Sequence, residues 1–380
     1  MLGEQHREVQ DAVRRFATEV IRPVANELDE TERFPAEIYA QMAELGLFGI
    51  TVPSEHGGAG MDVLSYAVVM EELSKGYASV ADQCGLLELI GTLFTRYGTD
   101  AQRRRWLTPA LKAELRPAYG ITEADAGTDV SGIRTQATRT PGGWRLDGGK
   151  LWIHNAPVCD FAVVLARTDK NAGHRGMSIF IVDANSPGFS RGGKEHKMGQ
   201  RGSPVGALHF DGVELPEDAL LGPEGRGFHI MMSVLEKGRV GIAALAVGIA
   251  QAGLDAALVQ ARQRRQFGQP IAEFQGLQWL LADMAKDIQA ARLLTWDAAV
   301  KLENGDPAAN MACSMAKCMA GDVAVARSAD AIQVFGGSGY VKGYEVERLY
   351  RDAKICQIYE GTNQIQRTII ARELLKGAVS

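Results

Sequence analysis

The chain has 380 residues, too many for one simple core, so two or three domains are expected. Its 41 basic and 46 acidic side chains are interspersed and leave a formal net charge of −5, with no basic stripe of the kind that grips nucleic acid. No apolar run approaches the ~20 residues that cross a bilayer, so no membrane insertion is expected.

The first residues, Met1 to Gln10, lack the apolar core of a secretory signal and the acid-poor character of a transit peptide. The five cysteines (Cys84, Cys159, Cys313, Cys318 and Cys356) are odd in number and form no C-x-x-C pair. Reduced, buried thiols in a cytosol-like compartment are therefore expected, or a mitochondrial matrix if a transit peptide has been removed. The seven histidines form no H-E-x-x-H pair, and metal catalysis has no support.

Residues 5–115 read as helical. Val9, Val13, Phe16 and Val20 recur on one helix face. Pro35 can start the next helix and Gly46 can end it. Leu64 to Lys75 and Ser79 to Tyr97 are further helices, and Thr99 or Asp100 can cap another. Near residue 118 the pattern changes to short β-like runs, with turns expected at Pro141-Gly142-Gly143 and again at Asp147-Gly148-Gly149. From Gly227 onward long helices return, at 227–265, Gln275 to Leu302 and Pro307 to Gln333. The domains expected are 1–117 (helical), 118–222 (antiparallel β) and 223–380 (a four-helix bundle), which makes the fold class α+β. The long helices are apolar on more than one side, which points to subunit packing.

Chemistry concentrates in Gln333 to Arg367, where Gly336-Gly337-Ser338-Gly339, Lys342-Gly343-Tyr344 and Tyr359-Glu360-Gly361-Thr362 mark turns or helix starts. Glu360 follows apolar Ile358 and Tyr359 and precedes a polar helix start. A carboxylate there is favoured by the helix dipole and opposed by apolar walls, a balance that suits a general base. On local sequence alone a simple helix cap is the plainer reading. Tyr119 to Asp129 offers glycines, hydroxyls and free backbone N–H groups suited to a flavin edge or pyrophosphate, or else is a polar interdomain loop. Gly336 to Gly339 follows a helix rather than a strand and is no dinucleotide fingerprint. Arg262 to Gly268 can bind pyrophosphate through a guanidinium fork, or is a solvated basic helix end.

The stretches Gly120 to Gly132 and Tyr359-Glu360-Gly361-Thr362, in that order, resemble the two signatures of the acyl-CoA dehydrogenases, and the resemblance extends from about residue 5 to the end. It implies FAD as cofactor, Glu360 as catalytic base, and α,β-dehydrogenation of an acyl-CoA to a trans-2-enoyl-CoA with hydride transfer to flavin N5. It assigns Tyr119, Ile121, Thr122, Thr128, Trp152, Arg264, Gln266, Phe267, Gln275, Gln333, Gly337, Thr362 and Gln364 to the cofactor, with Arg264 reaching the FAD of a neighbouring subunit. Thr128, Glu236, Arg239 and Gly361 are assigned to substrate. An electron-transfer flavoprotein as electron acceptor and a homotetramer built as a dimer of dimers are further implications. Gly238 stands where some branches of the family carry their base, so Glu360 keeps that role, as in the short-chain branch.

Two positions depart from the family pattern. His154, in Trp152-Ile153-His154-Asn155, replaces the usual threonine beside flavin N5, so it either tunes the flavin or points away. Glu88 falls in a segment that usually lines the acyl pocket, so it either demands a polar acyl group or is ion-paired on a helix. These two support the alternative of altered chemistry on a polar acyl-CoA, a flavin oxidase or a desulfinase, which oxygen consumption without an added acceptor would reveal. A non-catalytic scaffold would purify colourless and fail to take up FAD.

Overall fold

The computed structural model describes residues 2–377. The chain opens with α1 (Glu4–Phe16), α2 (Ala25–Thr31), α3 (Ala36–Glu44), α4 (Val63–Gly76), α5 (Ala78–Tyr97), α6 (Asp100–Gln102) and α7 (Thr108–Leu111). Val13 and Phe16 bury the apolar face of α1, with Val9 and Val20 at its edge. Pro35 occupies the N-cap of α3, and Gly46 follows its end at φ +69°. Thr99 and Gln102 form a reciprocal capping box at α6, with bonds of 2.9 and 3.2 Å.

The middle of the chain forms β1 (Pro117–Gly120), β2 (Gln136–Thr140), β3 (Gly143–His154), β4 (Phe161–Arg167), β5 (Met177–Asp183), β6 (Phe189–Arg191) and β7 (Val205–Pro216). They make one sheet in the order β1-β4-β2-β3-β7-β6, with β5 also on β4. The pairs β2/β3, β3/β7, β4/β5 and β6/β7 are antiparallel, as expected. The pairs β1/β4 and β2/β4 are parallel, which corrects the all-antiparallel expectation. The connections to β4 are long enough to bring it back in the same direction as β1 and β2. Phe161, Val163 and Leu165 point from β4 into the helices, while Ala162, Val164 and Ala166 point into the sheet's own core with Trp144 and Phe180. Burial on both faces is why β4 reads as an unbroken apolar run.

The expected turn at Asp147 to Gly149 does not form. There β3 runs straight on through a bulge between Leu146 and Gly148. Gly148 sits at φ +134°, and a Cβ on it would lie 2.7 Å from Thr135 Cα, so glycine serves close approach rather than reversal. A second irregularity between Lys150 and Ile153 puts Trp152 at φ +60° and leaves its side chain 58 % exposed.

The C-terminal part contains α8 (Gly227–Gln263), a small hairpin of β8 (Arg265–Gln266) and β9 (Gln269–Pro270), then α9 (Gln275–Glu303), α10 (Ala309–Phe335), α11 (Glu345–Ala353) and α12 (Asn363–Gly377). Arg239 of α8 bonds Asn310 of α10, and Gly253 packs on Ser328 and Ala331, so these two helices run parallel. Between them α9 runs the opposite way: Arg292 bonds Gln251, and Ile271 bonds Arg264. One apolar stretch of α8 has mean hydropathy 1.9 and is long enough to cross a membrane, contrary to the expectation from the sequence. That stretch is 78 % buried, because α4, α5, α9 and α10 cover the helix on all sides.

Candidate active site

Glu360 lies in the turn between α11 and α12. Glu360 and Gly361 both adopt left-handed backbone, at φ +54° and +87°. For a glutamate this costs roughly 1–2 kcal/mol, so the surroundings must hold it. Gln366 Nε2 donates to the Glu360 and Gly361 carbonyls, both at 3.1 Å. Thr362 Oγ1 accepts from Ile365 N at 3.2 Å and caps α12.

The turn aims the carboxylate at α8. A Cβ placed on Gly238 would stand 2.7 Å from Glu360 Oε2 and 3.2 Å from Leu89 Cδ2, so the carboxylate rests between α8 and α5. The residue as a whole is half-buried, but Oε2 is shielded and has no hydrogen-bond partner. Burial pushes the carboxyl up to about 7, with Arg239 and Lys317 pulling it down and Asp82 pushing it up. Its backbone N–H makes no hydrogen bond among the described residues.

Other unpaired groups gather nearby. Tyr119 OH on β1 and Arg239 Nε on α8 are buried without partners, and the Glu360 charge bears on both. Gln366 Oε1 is likewise unpaired. Buried polar atoms are ordinarily satisfied, so a cluster of orphans marks the seat of a polar ligand with apolar surroundings, which a flavin and a thioester fit.

The loop after β1 is held by a buried ion pair. Lys150 Nζ donates to Glu123 Oε1 at 2.7 Å and to the Ile121 carbonyl at 2.9 Å. Glu123 also accepts from the N–H groups of Arg134 (2.6 Å) and Thr135 (3.0 Å). This leaves Ile121 buried, Thr122 half-buried and Thr128 exposed.

His154, at the end of β3, is enmeshed rather than isolated. Its Nδ1 lies 3.3 Å from Asp82 Oδ2, and its Nε2 lies 2.8 Å from Ser203 Oγ and 2.9 Å from Gln83 Nε2. Gln83 and Asn155 exchange two further bonds, of 2.8 and 3.0 Å. Gln83 Nε2 can only donate, which assigns the proton to Nδ1, facing Asp82. Burial pushes the imidazole down, and Asp82 pulls it partly back.

Glu88 is buried but not free. It accepts from Thr51 Oγ1 and from Thr51 N (3.3 Å), and it pairs with Lys237 at 3.4 Å. Lys237 in turn bonds Thr51 Oγ1 at 2.5 Å. Glu236 and Arg239 form no ion pair with each other among the described residues. Arg239 Nη1 instead donates to Asn310 at 2.8 Å, and burial pushes the Glu236 carboxyl up.

The residues expected at the cofactor fall into two groups. Thr362 and Gln364 follow Glu360 in the chain and the Glu360 charge bears on Tyr119, while Ile121, Thr122 and Thr128 come from the loop after β1 and Trp152 and His154 from the end of β3. Arg264, Gln266, Phe267 (94 % exposed), Gln275, Gln333 and Gly337 lie at the far end of the bundle, all exposed. From Gly238 to Arg264 along α8 is ~39 Å at about 1.5 Å per residue, farther than one extended dinucleotide reaches.

Sequence reasoning missed Asp82, Gln83, Ser203, Lys237 and Lys317. A signal existed for Asp82-Gln83 and for Lys317: each interrupts a local run of small and apolar residues within its helix.

A helix–sheet–helix chain with orphaned buried polar atoms gathered where the domains meet is the arrangement of a flavin-dependent oxidoreductase. Family models match along its length: the acyl-CoA dehydrogenase N-terminal domain at residues 3–114, the middle domain at 118–213 and the C-terminal domain at 225–375. The chain belongs to the acyl-CoA dehydrogenase family, and its cofactor is FAD. It is 44 % identical to an acyl-CoA dehydrogenase of Bacillus subtilis, over 96 % of each chain. It is 42 % identical to a 3-(aryl)acrylate reductase of Clostridium sporogenes, over 98 % of this chain and 99 % of that one. The solved butyryl-CoA dehydrogenase of Megasphaera elsdenii superposes with a TM-score of 0.95 at 39 % identity, covering 99 % of both chains.

Proposed function

We propose that the chain desaturates a short acyl-CoA between its α and β carbons, with Glu360 as the base that removes the α proton. The observation that carries this is the shielded, unpartnered Glu360 Oε2 facing the Cβ-free surface of Gly238. Glycine leaves room for a thioester's α carbon to approach the carboxylate, and burial near neutrality makes that carboxylate a stronger base than an exposed one. The Glu360 N–H, which has no partner among the described residues, would donate to the thioester oxygen as enolate character develops there. FAD, when bound, supplies the acceptor for the β hydride at its N5. Arg239 bears on the Glu360 carboxyl and Glu236 stands one turn before Arg239 on α8; both would meet the thioester end of the substrate.

The short-chain assignment is supported by likeness to the butyryl-CoA enzyme. Glu88 does not oppose an alkyl chain, because Lys237 and Thr51 already satisfy its charge. A ferrocenium-coupled screen of straight, branched, cyclic and polar acyl-CoAs tests both points. Short straight thioesters should be oxidised fastest, with the same ranking in Glu88→Gln. A preference for polar acyl groups that disappears in Glu88→Gln would refute this reading.

His154 is proposed to tune the flavin through the Asp82–His154–Ser203 group. His154→Thr should move the flavin midpoint potential by at least ~30 mV, which for two electrons is about 1.4 kcal/mol. Unchanged potential and turnover would reduce His154 to a structural part.

The two groups of cofactor residues are reconciled if each FAD spans two copies of the chain. The exposed tip of one copy, carrying Arg264 and Phe267, would then reach the site of the next. Trp279, Leu293 and Val300 leave an exposed apolar surface on α9 that such packing would cover, consistent with a homotetramer. An electron-transfer flavoprotein is the proposed electron acceptor.

A further inference from the structure

Lys317 sits a third of the way along α10, where its buried neighbours on the helix are the small residues Cys313, Ser314, Ala316, Cys318, Ala320 and Gly321. It is fully buried, and burial pushes its ammonium down to about 8. It forms no ion pair among the described residues. Its Nζ instead donates to the Gly361 carbonyl at 2.6 Å and to Asn363 Oδ1 at 3.1 Å. A buried ammonium without a carboxylate partner is costly, and packing alone would be better served by methionine.

Both acceptors belong to the segment that carries Glu360. The Gly361 carbonyl also takes Gln366 Nε2, and Asn363 Nδ2 is anchored to the Cys318 carbonyl (3.0 Å) and Asp322 (2.8 Å). The left-handed pair Glu360-Gly361 is therefore gripped from α10 on one side and α12 on the other.

We propose that Lys317 is a positioning residue for proton abstraction, holding the Gly361 carbonyl and, through it, the turn that aims the Glu360 carboxylate. This rests on Glu360 being the base. Arg239 from α8, Asp82 from α5 and Lys317 from α10 bear on that carboxyl, which itself bears on the phenols of Tyr66, Tyr119 and Tyr359. Lys317 itself faces Cys356, Cys318 and Arg239. Its positive charge favours the ionised form of Glu360, so removing it moves the Glu360 titration to higher pH.

The test is Lys317→Met, assayed as FAD-loaded enzyme. Expected are a loss of roughly 100-fold in kcat/KM, carried by kcat rather than KM, and an acid limb displaced to higher pH. Lys317→Arg should restore the position of that limb. A FAD-loaded Met variant with wild-type kcat/KM and an unmoved limb would overturn the proposal. If the Met variant does not fold, Lys317→Gln, too short to reach the Gly361 carbonyl in the same way, takes its place; a lowered kcat with a shifted limb supports the proposal, and a wild-type kcat overturns it. A fully active Glu360→Gln would remove the base assignment itself. An inactive Glu360→Gln beside a normal Lys317→Met would sink only this inference.

Discussion

Glu360→Gln is expected to lower kcat/KM by roughly 10²–10⁴-fold, the usual contribution of a positioned general base. The amide matches the carboxylate in shape but cannot accept the proton. The same substitution should make the chain more stable at alkaline pH. Burial raises the Glu360 carboxyl from 4.5 to about 7 in the folded chain, so ionising it there is less favourable than in the unfolded chain. The unfolded state releases its proton first, and stability is lost as pH rises from about 4.5 through about 7. Above that window the penalty is roughly 3–4 kcal/mol, at about 1.4 kcal/mol per unit. Glutamine removes it. Thermal unfolding of both apo forms should coincide near pH 4 and diverge in favour of Glu360→Gln by pH 8. A variant less stable across the whole range would show that the carboxylate is satisfied by contacts, not held against its preference.

Gly238→Ala is the second substitution with a large expected effect. The added Cβ would lie 2.7 Å from Glu360 Oε2 and 3.2 Å from both Glu360 Cδ and Leu89 Cδ2. The closest atom ends a flexible side chain, so the carboxylate gives way rather than α8. Within a helix, alanine is also favoured over glycine by up to about 1 kcal/mol. Folding and FAD content should therefore hold or improve, while the displaced base costs roughly 100-fold in kcat/KM. Measuring melting temperature, flavin content and turnover on one preparation separates these effects. Full turnover would mean that the carboxylate works from another position.

The element order was legible because it is written locally, whereas Glu360 stood out from a plain helix cap only through the resemblance to the family. Helical spacing, a cap at Thr99 or Asp100 and the Tyr-Glu-Gly-Thr turn need only a few consecutive residues. The parts that were not legible depend on distant segments meeting. Gly148 looked like a turn residue because the Thr135 backbone that requires it lies in a distant segment, just before β2. His154 looked solitary because Asp82, Gln83 and Ser203 reach it from α5 and from the loop before β7. For Glu88 the ion-paired reading held, but its partners were not legible because Lys237 stands on α8 and Thr51 in a loop. The apolar stretch of α8 escaped notice because glycines, a lysine and an arginine punctuate its beginning, and only its four-sided packing explains the rest.

Single-turnover flavin reduction tests the central claim most directly. FAD-loaded wild-type chain is mixed anaerobically with butyryl-CoA, and the oxidised flavin band is followed across pH. The band should bleach at a rate that rises with pH through about 7, where Glu360 ionises, while Glu360→Gln binds the thioester and keeps its oxidised spectrum. Bleaching of Glu360→Gln at the wild-type rate would contradict the assignment.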